Sequence, residues 1–180
     1  MIRSATIHDV PAVQAIINSH AELGKMLFKN YAQLYEAVRE FGVYDIGTKE
    51  KPEVVGCVAL TIIWADLAEV RSLAVKEGHI GRGIGKELVR WCLSEARRLQ
   101  VRKIFALTYE QQFFEKLGFS VVPKDTLPLK VWTDCVRCPK RDNCDEIAVV
   151  NVLEDVPQIV SPTALPTPRG VSIPVLSIVD

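Results

Sequence analysis

Apolar and polar positions change their period several times along the chain, and each change marks an element. Ile2 to Ala5 reads as a short strand. Thr6-Ile7-His8-Asp9 then offers a helix cap, and Val10, Val13, Ile16 and Ile17 follow at helical spacing, with Pro11 tolerated in the first turn. A second amphipathic stretch carries Leu34, Tyr35, Val38 and Phe41. Val43 to Ile46 is a strand, and Gly47 to Pro52 is polar and turn-like. Val54 to Trp64 is almost continuously apolar and β-branched, the pattern of a central strand buried on both faces. Leu67 to Val75 pairs with it across a tight connection. Helical spacing returns from about Ile84 to Leu99, with Leu88, Trp91, Cys92 and Ala96 inward and Lys86, Glu87, Arg90 and Arg97 outward. Lys103 to Tyr109 is a further strand, and Gln111 to Leu117 a short helix stopped by Gly118. Phe119 to Val122 and Asp145 to Val150 close the sheet.

The pattern fails after residue 150. Five of the ten prolines fall in 151–180, with no lysine and one glycine. Pro157, Pro162, Pro166, Pro168 and Pro174 break helices and interior strands alike. The reading is one domain over 1–150 and an extended tail over 151–180. The tail's apolar residues could dock on the domain or on a neighbouring subunit, which leaves a homodimer open. A chain of 180 residues suffices for one domain with its own core. Charged residues make up 24% and the formal net charge is zero, so no general affinity for nucleic acid or an anionic membrane is expected. The start is not a signal peptide and no apolar run is long enough to span a membrane. A cytoplasmic protein is expected.

Candidate chemistry concentrates where the strand Leu67–Val75 runs into His79-Ile80-Gly81-Arg82-Gly83-Ile84-Gly85-Lys86. Glycines at alternate positions let backbone N–H groups approach a ligand closely. The helix behind them adds unpaired N–H groups and the positive end of its dipole, a fitting place for a phosphate group. A Walker loop is excluded, because Ile80 and Glu87 stand where glycine and Ser or Thr are required. A dinucleotide fingerprint is excluded by Lys86 or Leu88, depending on which glycine starts it.

Charges on the preceding strand matter as well. Alternation puts Glu69, Arg71 and Leu73 on one face and Val70, Ser72 and Ala74 on the other. Glu69 could accept a proton from an ammonium substrate and Arg71 could grip a carboxylate, or the pair could serve structure alone. Lys25 and Lys29, four apart in an apolar loop, could clamp an acidic substrate or stand idle in solvent. Cys57 and Cys92 lie on apolar faces and belong to the core. Cys135, Cys138 and Cys144 form a C-x2-C half-site with a third thiol, but no good fourth ligand is evident, so no metal is assigned.

The strand L-A-V, its spacing to G-R-G-I-G, and Phe113-Phe114-Glu115-Lys116-Leu117-Gly118-Phe119 together resemble the GNAT N-acetyltransferases. The resemblance implies the GNAT fold, an α/β (α+β) arrangement with a mixed central β-sheet flanked by helices. It implies acetyl-CoA as co-substrate, its pyrophosphate on Gly81, Arg82, Gly83, Ile84, Gly85 and Lys86. The thioester and pantetheine arm would lie along Leu73, Ala74 and Val75. Two positions depart from the family. Phe114 replaces the Tyr that commonly protonates the departing thiolate, which leaves Tyr109 or solvent for that role, and Ile80 replaces the usual Gln or Arg. Lys25 to Phe41, Arg71 to Val75, Leu107 to Tyr109 and Lys130 to Cys135 are similar to the short, single-domain glutamate N-acetyltransferases. Those make N-acetylglutamate, the first step of arginine biosynthesis. The resemblance implies an amino-acid substrate held by Lys25, Lys29 and Arg71 and deprotonated by Glu69. Rival readings are acetylation of another small amine or a protein, and a non-catalytic acetyl-CoA-binding module.

Overall fold

The computed structural model describes residues 1–128 and 143–158. A seven-stranded sheet runs in the order β1-β2-β3-β4-β5-β7-β6. The strands are β1 (Ile2–Ser4), β2 (Phe41–Asp45), β3 (Val54–Trp64), β4 (Leu67–Val75), β5 (Lys103–Thr108), β6 (Ser120–Val122) and β7 (Ile147–Val152). Every neighbouring pair is antiparallel except β4 and β5. The helices are α1 (Val10–Glu22), α2 (Tyr31–Glu36), α3 (Ile84–Arg98) and α4 (Gln111–Glu115).

Helices cover both faces over Val54–Leu60, which explains why that part of β3 is apolar throughout, while Ile62 and Trp64 at its end are exposed. On one face Val10, Val13, Ile16 and Ile17 of α1 and Leu34 of α2 pack on Phe41, Val43, Cys57 and Ala59. On the other, Ile84, Leu88, Val89, Cys92 and Ala96 of α3 and Phe114 of α4 pack on Val55, Val58, Leu60, Ala68 and Val70. Trp91 is half-buried and packs against the same core. Its ring lies on the backbone of β2 at Gly42, where a Cβ would come within 2.7 Å of it. Phe41 opens β2 and does not end a helix. The second amphipathic stretch resolves into the short α2 followed by a 3-10 turn over Val38–Glu40.

Strand β7 sits between β5 and β6, pairing Phe105 with Val150 on one side and Val121 with Val149 on the other. Its ladder continues to Val152, and Leu153 and Val156 are buried in the α3-side core. The packed part of the domain therefore reaches past residue 150. The rest of the proline-rich stretch lies outside the described residues. No described helix is long and apolar enough to cross a membrane.

Candidate active site

The two parallel strands share only three register pairs, ending at Glu69 with Phe105. Beyond that pair β4 continues to Val75 and β5 to Thr108 without pairing, so the sheet opens into a cleft. Inside the cleft β4 carries a bulge. Ala59 faces Arg71 and Cys57 faces Ala74, so Ser72 and Leu73 together oppose the single residue Val58. Ser72 takes the left-handed conformation, φ +53°, rare for a residue with a side chain. The Cys57 thiol donates to the Ser72 carbonyl at 3.7 Å, and burial pushes its pKa up to about 12, which keeps the proton on sulfur.

The extra residue corrects the expected alternation. Leu73 packs on the α3 side with Val70, while Ala74 joins the core on the α1 side. Glu69 and Arg71 therefore do not share a face with Leu73. At Val75 the ladder bond is made by Lys76 N–H to the Val55 carbonyl, so Val75's own polar groups point toward the opening. His20, in the last turn of α1, donates from Nε2 to the Val75 carbonyl at 2.8 Å.

Past β4 the chain turns through Gly78, Gly81 and Gly83, all with φ near +80°, and Gly83 caps α3. Gly81, Arg82 and Gly83 are exposed. A Cβ at Gly81 or Gly83 would meet open space, so backbone conformation and not crowding demands glycine there. The first N–H of α3 to find a partner within the turn is that of Glu87, bound to the Gly83 carbonyl at 3.2 Å. By helix geometry the N–H groups of Ile84, Gly85 and Lys86 have no carbonyl to bind, and the 15-residue helix aims its positive end at the same spot. Gly85 differs from its neighbours: its φ is not positive, and a Cβ added there would meet the Phe113 ring at ordinary contact distance.

Beside the bulge, on the α2 side, is a cavity of about 50 Å³ whose lining includes Lys29, Glu40, Thr61, Arg71 and Ser72. The structure thus brings Lys29 and Arg71 together. Lys25 is exposed and is not part of this lining. Lys29 is held by its backbone: Asn18 of α1 accepts from its N–H at 3.0 Å and donates to its carbonyl at 3.1 Å, and Gln14 donates to the same carbonyl at 3.3 Å. Glu69 is largely buried, with Oε2 at 3.9 Å from Arg71 Nη1.

Tyr109 follows β5 directly and is partly exposed, four residues beyond the last β4–β5 pair as Leu73 is on the other strand. Phe114 is buried, edge-on to Phe113 and Phe119. Cys57 and Cys92 are fully buried core residues. Cys144 accepts from Lys124 Nζ at 3.4 Å, while the other two cysteines of the expected cluster, Cys135 and Cys138, lie outside the described residues.

Sequence reasoning missed Asn18, His20, Glu40 and Thr61. Gln14 and Asn18 left a trace, a polar pair one helical turn apart beside the apolar stripe of α1. Glu40 and Thr61 left none, because they meet only when β2 and β3 pair.

The model of the acetyltransferase (GNAT) family matches residues 15–119. An uncharacterized N-acetyltransferase of Chlorobaculum tepidum is 38% identical over 152 residues, 84% of this chain and 96% of that one. An amino-acid acetyltransferase of Mycobacterium tuberculosis is 39% identical over 142 residues, 76% of this chain and 78% of its own. Among solved structures, N-acetylglutamate synthase from Neisseria gonorrhoeae, complexed with coenzyme A and N-acetyl-glutamate, aligns with a TM-score of 0.74 at 26% identity. That alignment covers 85% of this chain and 35% of the synthase.

Proposed function

The chain belongs to the acetyltransferase (GNAT) family, and from that premise we propose that it transfers acetyl from acetyl-CoA to the α-amino group of L-glutamate. An acetyl-CoA-dependent amino-acid N-acetyltransferase is the family-level activity, and acetyl-CoA is the co-substrate. The observation that carries the finer reading is the cavity beside the β4 bulge. It gathers Lys29 and Arg71 next to the strand edge at which the thioester would lie. Two cations suit the two carboxylates of glutamate and repel a cationic amine.

The pyrophosphate rests on the N–H groups of Gly81 to Lys86, with Arg82 and Lys86 adding positive charge at the surface. The pantetheine arm pairs with the β4 edge that β5 leaves open. A backbone N–H of Leu73 to Val75 polarises the thioester carbonyl. Glu69 takes a proton from the α-ammonium, directly or through a water. The freed amine attacks the carbonyl carbon, the new C–N bond forms, and as the C–S bond breaks the nitrogen gives its second proton to solvent. The thiolate leaves tolerably well with an ordinary thiol pKa of about 8.5, and Tyr109 or solvent returns its proton. No acyl-enzyme is required, since holding both substrates in line supplies much of the rate. The product, N-acetylglutamate, places the enzyme at the start of arginine biosynthesis.

Release of free coenzyme A thiol with a panel of amines tests this. Glutamate should turn over while lysine and spermidine do not, and Arg71→Leu should raise the Michaelis constant for the amino acid. Equal or better turnover of spermidine overturns it.

A further inference from the structure

The wall that carries Lys29 and Arg71 also carries a carboxylate for which the acetyl transfer described above has no use. Glu40 ends the 3-10 turn before β2 and lines the same cavity, half-buried. Thr61 of β3 donates from Oγ1 to Glu40 Oε2 at 2.5 Å, which fixes the carboxylate and leaves Oε1 for another donor. Among the described residues no cation lies within ion-pair distance of Glu40. Thr61 is also the register partner of Glu69. Directly opposed residues have Cβ atoms about 5 Å apart on one face of the sheet. Thr61 thus stands between two carboxylates, Glu40 through its hydroxyl and Glu69 across the ladder.

We propose that Glu40 receives the α-ammonium of the incoming amino acid and holds it beside Glu69. This rests on the glutamate reading above and deepens it. The cavity then reads three charges of one ligand: Lys29 and Arg71 take carboxylates, and Glu40 takes the ammonium. A dicarboxylate without an amino group satisfies only the first two. Glu40 only binds; the proton goes to Glu69. Three-point recognition of this kind also enforces one configuration at the α-carbon.

Glutarate is the discriminating probe, because it has both carboxylates and no ammonium. In Glu40→Gln the amide oxygen still accepts from Thr61, so the local fold is kept. The Michaelis constant for L-glutamate should rise roughly tenfold to a hundredfold, the range of a charge-assisted hydrogen bond. Competitive inhibition by glutarate and the Michaelis constant for acetyl-CoA should stay within about twofold of wild type. Thr61→Val, which only loosens Glu40, should raise the glutamate constant less and leave glutarate unchanged. If Glu40→Gln weakens glutamate and glutarate alike, Glu40 merely shapes the cavity and the proposal fails. An unchanged glutamate constant overturns it equally. A wild-type enzyme that neither acetylates glutamate nor is inhibited by glutarate overturns the acceptor reading itself, and this proposal with it. If the wild type does both, failure of the Glu40 variants concerns Glu40 alone.

Discussion

Three glycines at alternate positions look equivalent in a sequence, yet residue by residue they do different work. Gly81 and Gly83 have φ of +82° and +83°, which a side chain adopts only at a cost of roughly 1–2 kcal/mol. Neither is crowded, since a Cβ at either would point into open space. Gly85 lies within regular helix, and its added Cβ would sit 3.6 Å from the Phe113 ring, an ordinary contact. Gly83→Ala is therefore expected to lower stability by about 1 kcal/mol, and Gly85→Ala to leave it unchanged or slightly raised through helix propensity. Gly83→Asp should in addition abolish coenzyme A binding, because its carboxylate stands where the phosphates must lie. Urea denaturation measures the first effect and titration calorimetry the second. Equal loss of stability at Gly83 and Gly85, or coenzyme A affinity unchanged in folded Gly83→Asp, would contradict this account. Phe114 belongs to the same scale. Its burial between Phe113 and Phe119 shows a side chain spent on packing, with no hydroxyl to lend to the chemistry.

Elements set what single residues can reach, and here the loop between α1 and α2 depends on α1. Asn18 meets both backbone groups of Lys29, much as a neighbouring strand would, and Gln14 adds a second donor to the carbonyl. This fixes where the side chain of Lys29, a residue of the cavity lining, starts. Asn18→Ala should cost roughly 1 kcal/mol in stability, the worth of one or two half-exposed hydrogen bonds. It should raise the Michaelis constant for the amino acid several-fold and leave kcat and the acetyl-CoA constant near wild type. A purely structural role would lower the melting temperature and spare that constant. The same scale shows what the sequence could reveal. Strands β3 and β4 were legible to the residue at both ends, because apolar runs flanked by turn residues define them. The glycine loop and the start of α3 were legible for a similar reason. The bulge at Ser72 was not, since it arises from the register of two strands and reverses the face of Leu73 without altering any local pattern. Glu40 and Thr61 were hidden for the same reason: their meeting at 2.5 Å is made by pairing across the sheet.

At the scale of the whole molecule, the N-terminal edge is locked by charge and not by a deep core. Strand β1 has three residues and pairs only with β2. Arg3 compensates by reaching Asp9 before α1 and Asp45 at the end of β2, at 2.7 Å and 2.8 Å. Asp9 is buried and also accepts from the Thr6 N–H and hydroxyl at 2.7 Å and 2.9 Å. The Arg3 hydrogen bond, with those from Thr6, outweighs burial and lowers the Asp9 pKa from 3.8 to about 2. Asp45 is lowered too: burial pushes it up, but hydrogen bonds from Arg3 and from the Glu53 and Gly47 N–H groups prevail. In the unfolded chain the Asp9 carboxyl takes up its proton near 3.8, and in the folded chain only near 2. Between those values protons favour the unfolded chain, so stability that is fully present above about pH 4 falls as the pH drops toward 2, by about 2 kcal/mol for Asp9. Arg3→Leu should lower stability at pH 7 by roughly 3 kcal/mol, because it leaves Asp9 buried without its cation. It should also flatten the decline between pH 4 and pH 2, since the Asp9 pKa then moves back toward its unfolded value. Urea midpoints at pH 7, 4 and 3 for both proteins measure this, and the gap between them should narrow with falling pH. Parallel curves would mean that Arg3 stabilises by packing its aliphatic stem alone, and that the charge network does not hold β1 to the sheet.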